Sequence, residues 1–97
     1  MEGRALISTD VLARYAGDAA LEVDGVRALV PGQLHRHKGV RVLDDGARVE
    51  IHVAVDWGVN VYAVGGDVER RVTEYLGSMA NNGVTSVDVV IDEVGTP

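Results

Sequence analysis

The chain has 97 residues, with 9 basic and 15 acidic residues, a formal net charge of −6, 46% hydrophobic and 25% charged residues, and no cysteine. A chain of this size buries roughly 65% of its unfolded surface, which supports one core and argues against disorder. The lack of cysteine excludes disulfide frameworks and thiolate chemistry, and the acidic balance sets an unfavourable mean field for nucleic acid or an anionic membrane surface. With no Phe, one Trp and three Tyr, the core must come from Val, Leu, Ile and Ala, a composition suited to sheet-rich packing. The start "MEGRALISTDV" lacks the apolar run of a signal peptide, and nowhere does the sequence approach the ~20 apolar residues of a membrane span. A cytoplasmic protein without direct membrane insertion is expected.

In chain order, "ISTDVLARYAGDAALEVDG" predicts a helix. Ser8 or Thr9 can cap it, Asp10 sits in its first turn, Ile7 and Leu12 can staple it, and Gly25 offers a left-handed exit. Val11, Leu12, Tyr15, Ala16, Ala19, Ala20 and Val23 form one stripe opposite Arg14, Asp18 and Glu22. "VRALVP" predicts a short strand stopped by Pro31, with Arg27 and Leu29 sharing a face by alternation. "VRVLDDGARVEIHVAVDW" predicts a hairpin turning at Asp44, Asp45 and Gly46. In its second arm Val49, Ile51, Val53, Val55 and Trp57 share one face, and Arg48, Glu50, His52, Ala54 and Asp56 the other. Alternation this clean points to a sheet covered by helices on one side only.

From Val61 the period changes. Val61, Val64, Val68, Val72, Leu76 and Met79 mark a helix running to about Ala80 and closed by "NNG" at 81 to 83. Either Asn60 caps it, which puts Gly65 and Gly66 inside its first two turns, or it starts late at Asp67. "VTSVDVVIDEV" predicts a last strand with Val87, Val89 and Ile91 inward and Asp88, Val90 and Asp92 outward. The expected fold class is α+β: one domain over residues 1–97 with two layers, an approximately four-stranded mixed sheet and two helices on one face, in the order αβββαβ. The last three elements form a βαβ unit, so the third and fourth strands should run parallel.

Strand, glycines and helix in that order also suggest a phosphate site, but neither a P-loop nor a dinucleotide fingerprint is present, and Asp67 would repel a phosphate. His35 and His37 would face the same way on an extended segment, as zinc ligands often do, yet no full ligand set is evident and a solvated, mildly basic loop is the simpler reading. No Ser or Thr lies in a nucleophile elbow. No enzyme activity and no cofactor are expected. Arg36, Lys38 and Arg41 cluster around the second strand, so a ligand- or nucleic-acid-binding domain using the loop at 35–41 is the alternative to a protein-binding role. Trp57 is in phase with the inward face as core or core edge, or else faces a partner.

Laid out this way, the chain resembles the alkaline shock protein family, the Gls-type envelope stress response proteins of bacteria. The resemblance runs from "ISTDVLARYAGDAALEVDGV" through "KGVRVLDDGARVEIHVAVDWGVNVYAV" to "DVERRVTEYLGSMANNGVTSVDVVIDEV". Its most specific marks are Glu22 to Val26, the passage Val55-Asp56-Trp57-Gly58-Val59-Asn60 and the valine-rich closing strand. The family pattern usually has Tyr where Trp57 stands, and strong helix formers where Gly65 and Gly66 stand. The resemblance implies a non-enzymatic cytoplasmic module of envelope stress or envelope maintenance. It would associate with itself or with a membrane-resident protein at the inner membrane face, and nucleic acid is not an expected partner. The residues expected to line a protein interface are Arg27, Leu29, Arg48, Glu50, His52, Ala54, Asp56, Asp88, Val90 and Asp92.

Overall fold

The structure, a computed structural model, describes residues 7–33, 37–79 and 83–97. Helix α1 spans Thr9–Leu21, and its cap is Ser8, whose hydroxyl accepts the Val11 amide at 3.2 Å. Its buried face is Leu12, Ala13, Ala16, Gly17, Ala19 and Ala20. With one large side chain among six, that face lets the helix lie close to the sheet.

The sheet is built on β3, Arg48–Val55. One edge of β3 is covered by two short strands laid end to end, β1 (Val26–Leu29) and β2 (Val40–Leu43), both antiparallel to it. The ladder barely breaks between them. The Val30 amide donates to the His52 carbonyl at 2.9 Å, and the His52 amide donates to the Gly39 carbonyl at 2.7 Å. Strands β1 and β2 therefore act as one interrupted edge strand. The β2–β3 connection turns through Asp44 and Asp45, both at φ 54°, a left-handed conformation that Asp tolerates. On the other edge β4, Ser86–Val94, runs parallel to β3 along its whole length, as the βαβ reading expects.

Helix α2 spans Val61–Gly77, and the Asn60 side-chain oxygen accepts the Ala63 amide at 3.1 Å. Asn60 is thus the cap, and Gly65 and Gly66 are interior to the helix. The helix ends with Ser78 as its C-cap, short of Ala80; residues 80–82, where a closing cap was expected, lie outside the described residues. Its stripe of Val64, Val68, Val72 and Leu76 is buried against α1 and the sheet. Across the helix pair, the Tyr15 and Tyr75 rings lie 6.1 Å apart, and the Arg71 guanidinium donates to the Glu22 carboxylate. The inward β3 residues Val49, Ile51, Val53 and Val55 are fully buried beneath the helices. The architecture is the two-layer αβββαβ arrangement, with a mixed sheet and both helices on one face.

At the sheet's margins the outward placement of Leu29 fails, and of the two readings of Trp57 the core one fails. A β-bulge between Val26 and Ala28 shifts the phase of β1. Leu29 is thereby turned inward, with its Cδ1 against Gly17 of α1, and Ala28 instead lies opposite Ala54. Trp57 is 61% exposed, because β3 stops at Val55 and the chain has left the strand's alternation before residue 57.

Gly25 carries two demands at once. Its φ is +94°, and a Cβ there would lie 2.8 Å from Val64 Cγ2, while its carbonyl accepts the Asp56 amide at 2.9 Å. Gly25→Ala should therefore lower the stability to chemical denaturation by more than about 1 kcal/mol, since it combines a left-handed backbone with overpacking. An unchanged urea midpoint would contradict this packing of the α1 exit against α2.

Candidate functional site

The sheet face away from the helices carries a connected set of charged side chains. Strand alternation presents Arg48, Glu50, His52 and Ala54 from β3, and the parallel register sets Asp88 beside Glu50 and Val90 beside His52. Antiparallel pairing sets Arg41 beside Glu50. Arg48 donates to Asp88 at 3.1 Å and lies 3.8 Å from Asp44, and Arg41 lies 3.6 Å from Glu50. At the centre is His52. Its Nδ1 is 2.6 Å from Asp92 Oδ2, and its Nε2 is 2.7 Å from Glu50 Oε1.

Ionised carboxylates only accept hydrogen bonds, so both contacts are made fully only when His52 carries a proton on each ring nitrogen. Partial burial of the ring opposes its charge, but the hydrogen bonds it donates to Glu50 and Asp92, together with their negative charge, outweigh that effect and raise the His52 pKa above 6.5. The His52 side chain is 17% exposed, against 47% for Arg48, so it is the most sheltered ionic group of the network. Half-exposed pairs such as Arg48–Asp88 are screened by solvent and add little to stability. Their main effect is to fix where charges stand on the face.

Seven of the ten residues expected at an interface meet on this face: Arg48, Glu50, His52, Ala54, Asp88, Val90 and Asp92. Arg27 is at its margin, with its guanidinium over Gly95. Asp56 is exposed just past the end of β3. Leu29 belongs to the opposite, helix-covered face, and the cause is the β1 bulge. The sequence reading missed Ala28, Arg41 and Asp44. Arg41 was within reach, because a hairpin turning at Asp44 to Gly46 already sets it opposite Glu50.

Of the basic loop, residues 34–36, including His35 and Arg36, lie outside the described residues. His37 is engaged with Asp10 at 2.8 Å. Among the described residues no group of three or more His, Cys, Asp or Glu side chains could hold a metal. Around His52 the reason is geometric: Glu50 and Asp92 approach opposite ring nitrogens and do not converge on one point.

A histidine whose folded pKa is raised contributes stability that is fully present below its unfolded pKa of about 6.5 and is lost as pH rises through the higher folded value. His52→Gln should therefore cost most in mildly acidic solution and progressively less as pH climbs above about 6.5. Urea titrations of both proteins across that range test this, and a pH-independent difference would contradict the doubly hydrogen-bonded imidazolium.

A family model for the alkaline shock proteins, described as having a cell envelope-related function, matches residues 1–96. YqhY, an uncharacterized protein of Bacillus subtilis strain 168, is 28% identical over 101 residues, covering 92% of this chain and 75% of that protein. Among solved structures, the copper form of MamM CTD is similar in fold, with a TM-score of 0.64, 17% identity, and coverage of 91% of this chain and 87% of that one. A nickel form of a MamM CTD variant is similar at a TM-score of 0.62 and 18% identity, covering 91% of this chain and all of that one. At such identities these likenesses concern the fold alone. Among the described residues no helix is long and apolar enough to cross a membrane. With the family model spanning nearly the whole chain, this protein belongs to the alkaline shock protein family, whose described function is related to the cell envelope.

Proposed function

We propose that the chain is a non-enzymatic protein–protein interaction or self-assembling module of the bacterial envelope stress response, and that it works through the open face of its sheet. In this reading it is one domain acting in the cytoplasm, at the inner membrane face through a membrane-resident partner, through copies of itself, or both. The observation that carries the proposal is the contrast between the two faces of β3. One is sealed by helices. The other presents the Arg41–Glu50–His52–Asp92 chain of contacts and the Asp44–Arg48–Asp88 group around the small residues Ala28 and Ala54.

Charges already held in place by neighbours lose little freedom when a partner docks, and fixed charges of both signs discriminate between partners more than they add raw affinity. The family's envelope-related description supports the cellular setting. His37 and Arg41 are each engaged with a carboxylate, which leaves the basic-loop alternative with less charge to offer an anionic ligand.

The test combines light scattering of the purified chain over a wide concentration range with affinity purification from envelope-stressed cells, using wild type and the open-face variant Ala28→Arg/Arg41→Glu. The expected result is association, with itself or with a captured protein, that the variant loses while its melting temperature stays near that of wild type. A wild type that stays monomeric and captures nothing beyond what the variant captures would overturn the proposal.

A further inference from the structure

The glycine pair inside α2 lacks an explanation from the fold. Interior helix glycines are destabilising relative to alanine, yet neither Gly65 nor Gly66 has a positive φ. A Cβ on Gly65 would stand 3.4 Å from Ile91 Cδ1, an ordinary contact, and a Cβ on Gly66 would meet nothing within 4 Å. Close approach of this chain to itself therefore does not require Gly66. The pair lies instead along the seam between α2 and β4. Two hollows of about 470 and 380 Å³ lie along that seam and share Glu69, Val87 and Asp88 in their walls. Gly65 and Gly66 line the larger one, together with Val89 and Ile91, which are only partly buried.

The seam runs beside a sheet edge. Strand β4 is nine residues long and pairs with β3 on one side; among the described residues no strand pairs with its other side. A strand of that length with an unpaired ladder is a template for another strand. Its charge narrows the choice of occupant. Asp88, Asp92 and Glu93 stand on the strand and Glu69 on the helix rim; Arg48 engages Asp88 and His52 engages Asp92, which leaves the rim acidic in balance. A second β4 paired antiparallel about Val90 would bring Asp88 of each copy opposite Asp92 of the other, and like charges directly opposite are destabilising. In that register a second copy is disfavoured at this edge.

We infer that the edge of β4 and the α2–β4 groove together receive an extended segment of a partner protein in which apolar and basic residues alternate. Its apolar side chains, opposite Val89 and Ile91, enter the groove over Gly65 and Gly66. Its basic side chains, opposite Asp88 and Asp92, lie on the open side. This surface is separate from the β1 and β2 side of the open face, and it stands whether or not that side binds a partner.

The experiment titrates a labelled peptide of about nine residues alternating valine and lysine, matched to the length of β4, against the full chain by fluorescence anisotropy, with amide hydrogen exchange on the same samples. Gly66→Leu fills the groove and replaces a poor helix former with a good one, so it should melt no lower than wild type. The inference predicts binding by wild type and by Ala28→Arg/Arg41→Glu alike, with slowed exchange along β4. It also predicts binding weaker by roughly tenfold or more in Gly66→Leu, and little binding of a peptide with glutamate in place of lysine. Equal binding of the two peptides, equal binding by Gly66→Leu, or no binding at low salt would overturn it. Self-association that Gly66→Leu abolishes would overturn it in favour of a second copy.

Discussion

Every element of this fold is placed by β3. Its inward residues Val49, Ile51, Val53 and Val55 are fully excluded from water, and burying four such side chains is worth on the order of 6 to 12 kcal/mol before entropy is counted. Both of its edges are paired, to the end-to-end β1 and β2 on one side and to β4 on the other. Because side chains alternate on a strand, the same eight residues that anchor the core must also expose a second face. The ionic network follows from that constraint: with no helix to cover it, the second face is occupied by polar side chains, and pairing in register sets Arg41 against Glu50 and Asp88 within reach of Arg48.

The network's energetic role is modest and its organising role is larger. Most of its members are half-exposed, where ion pairs contribute little. His52 differs because it is sheltered and because both of its nitrogens meet carboxylates. Its charge state therefore ties Glu50 to Asp92 and, through Glu50, to Arg41, linking β2, β3 and β4 across the open face. Deprotonation removes one donor and leaves one of the two carboxylates facing a ring lone pair, so the geometry of the face is coupled to pH through one residue.

Much of this could be read from the sequence, because the signals were local. Ser8 and Asn60 cap the helices as their positions suggest, the Asp44–Asp45–Gly46 turn sets the hairpin, and the change of period at Val61 marks the parallel crossover. The misreadings fell where a tertiary irregularity resets a local period. Alternation alone places Leu29 with Arg27, but the β1 bulge adds one residue and turns Leu29 into the core. Trp57 keeps the inward phase on paper, but the strand has already ended. That β1 and β2 form one interrupted edge was not legible, since nothing in residues 31–38 states that the chain returns to the same ladder. Nor was the meeting of His52 with Asp92, 40 residues apart in sequence, which depends on the register of β4.

Two surfaces of unlike character thus flank one core: a charged open face and an acidic edge beside a glycine-lined groove. Hydroxyl-radical footprinting of the full chain, alone and within its associated state recovered from envelope-stressed cells, tests most directly that function resides on these surfaces. The account predicts protection of His52, Val90 and Ile91, while the outer face of α1 around Arg14 stays as reactive as in the isolated chain. Protection confined to that outer helix face, with His52 and Val90 unchanged, would contradict it.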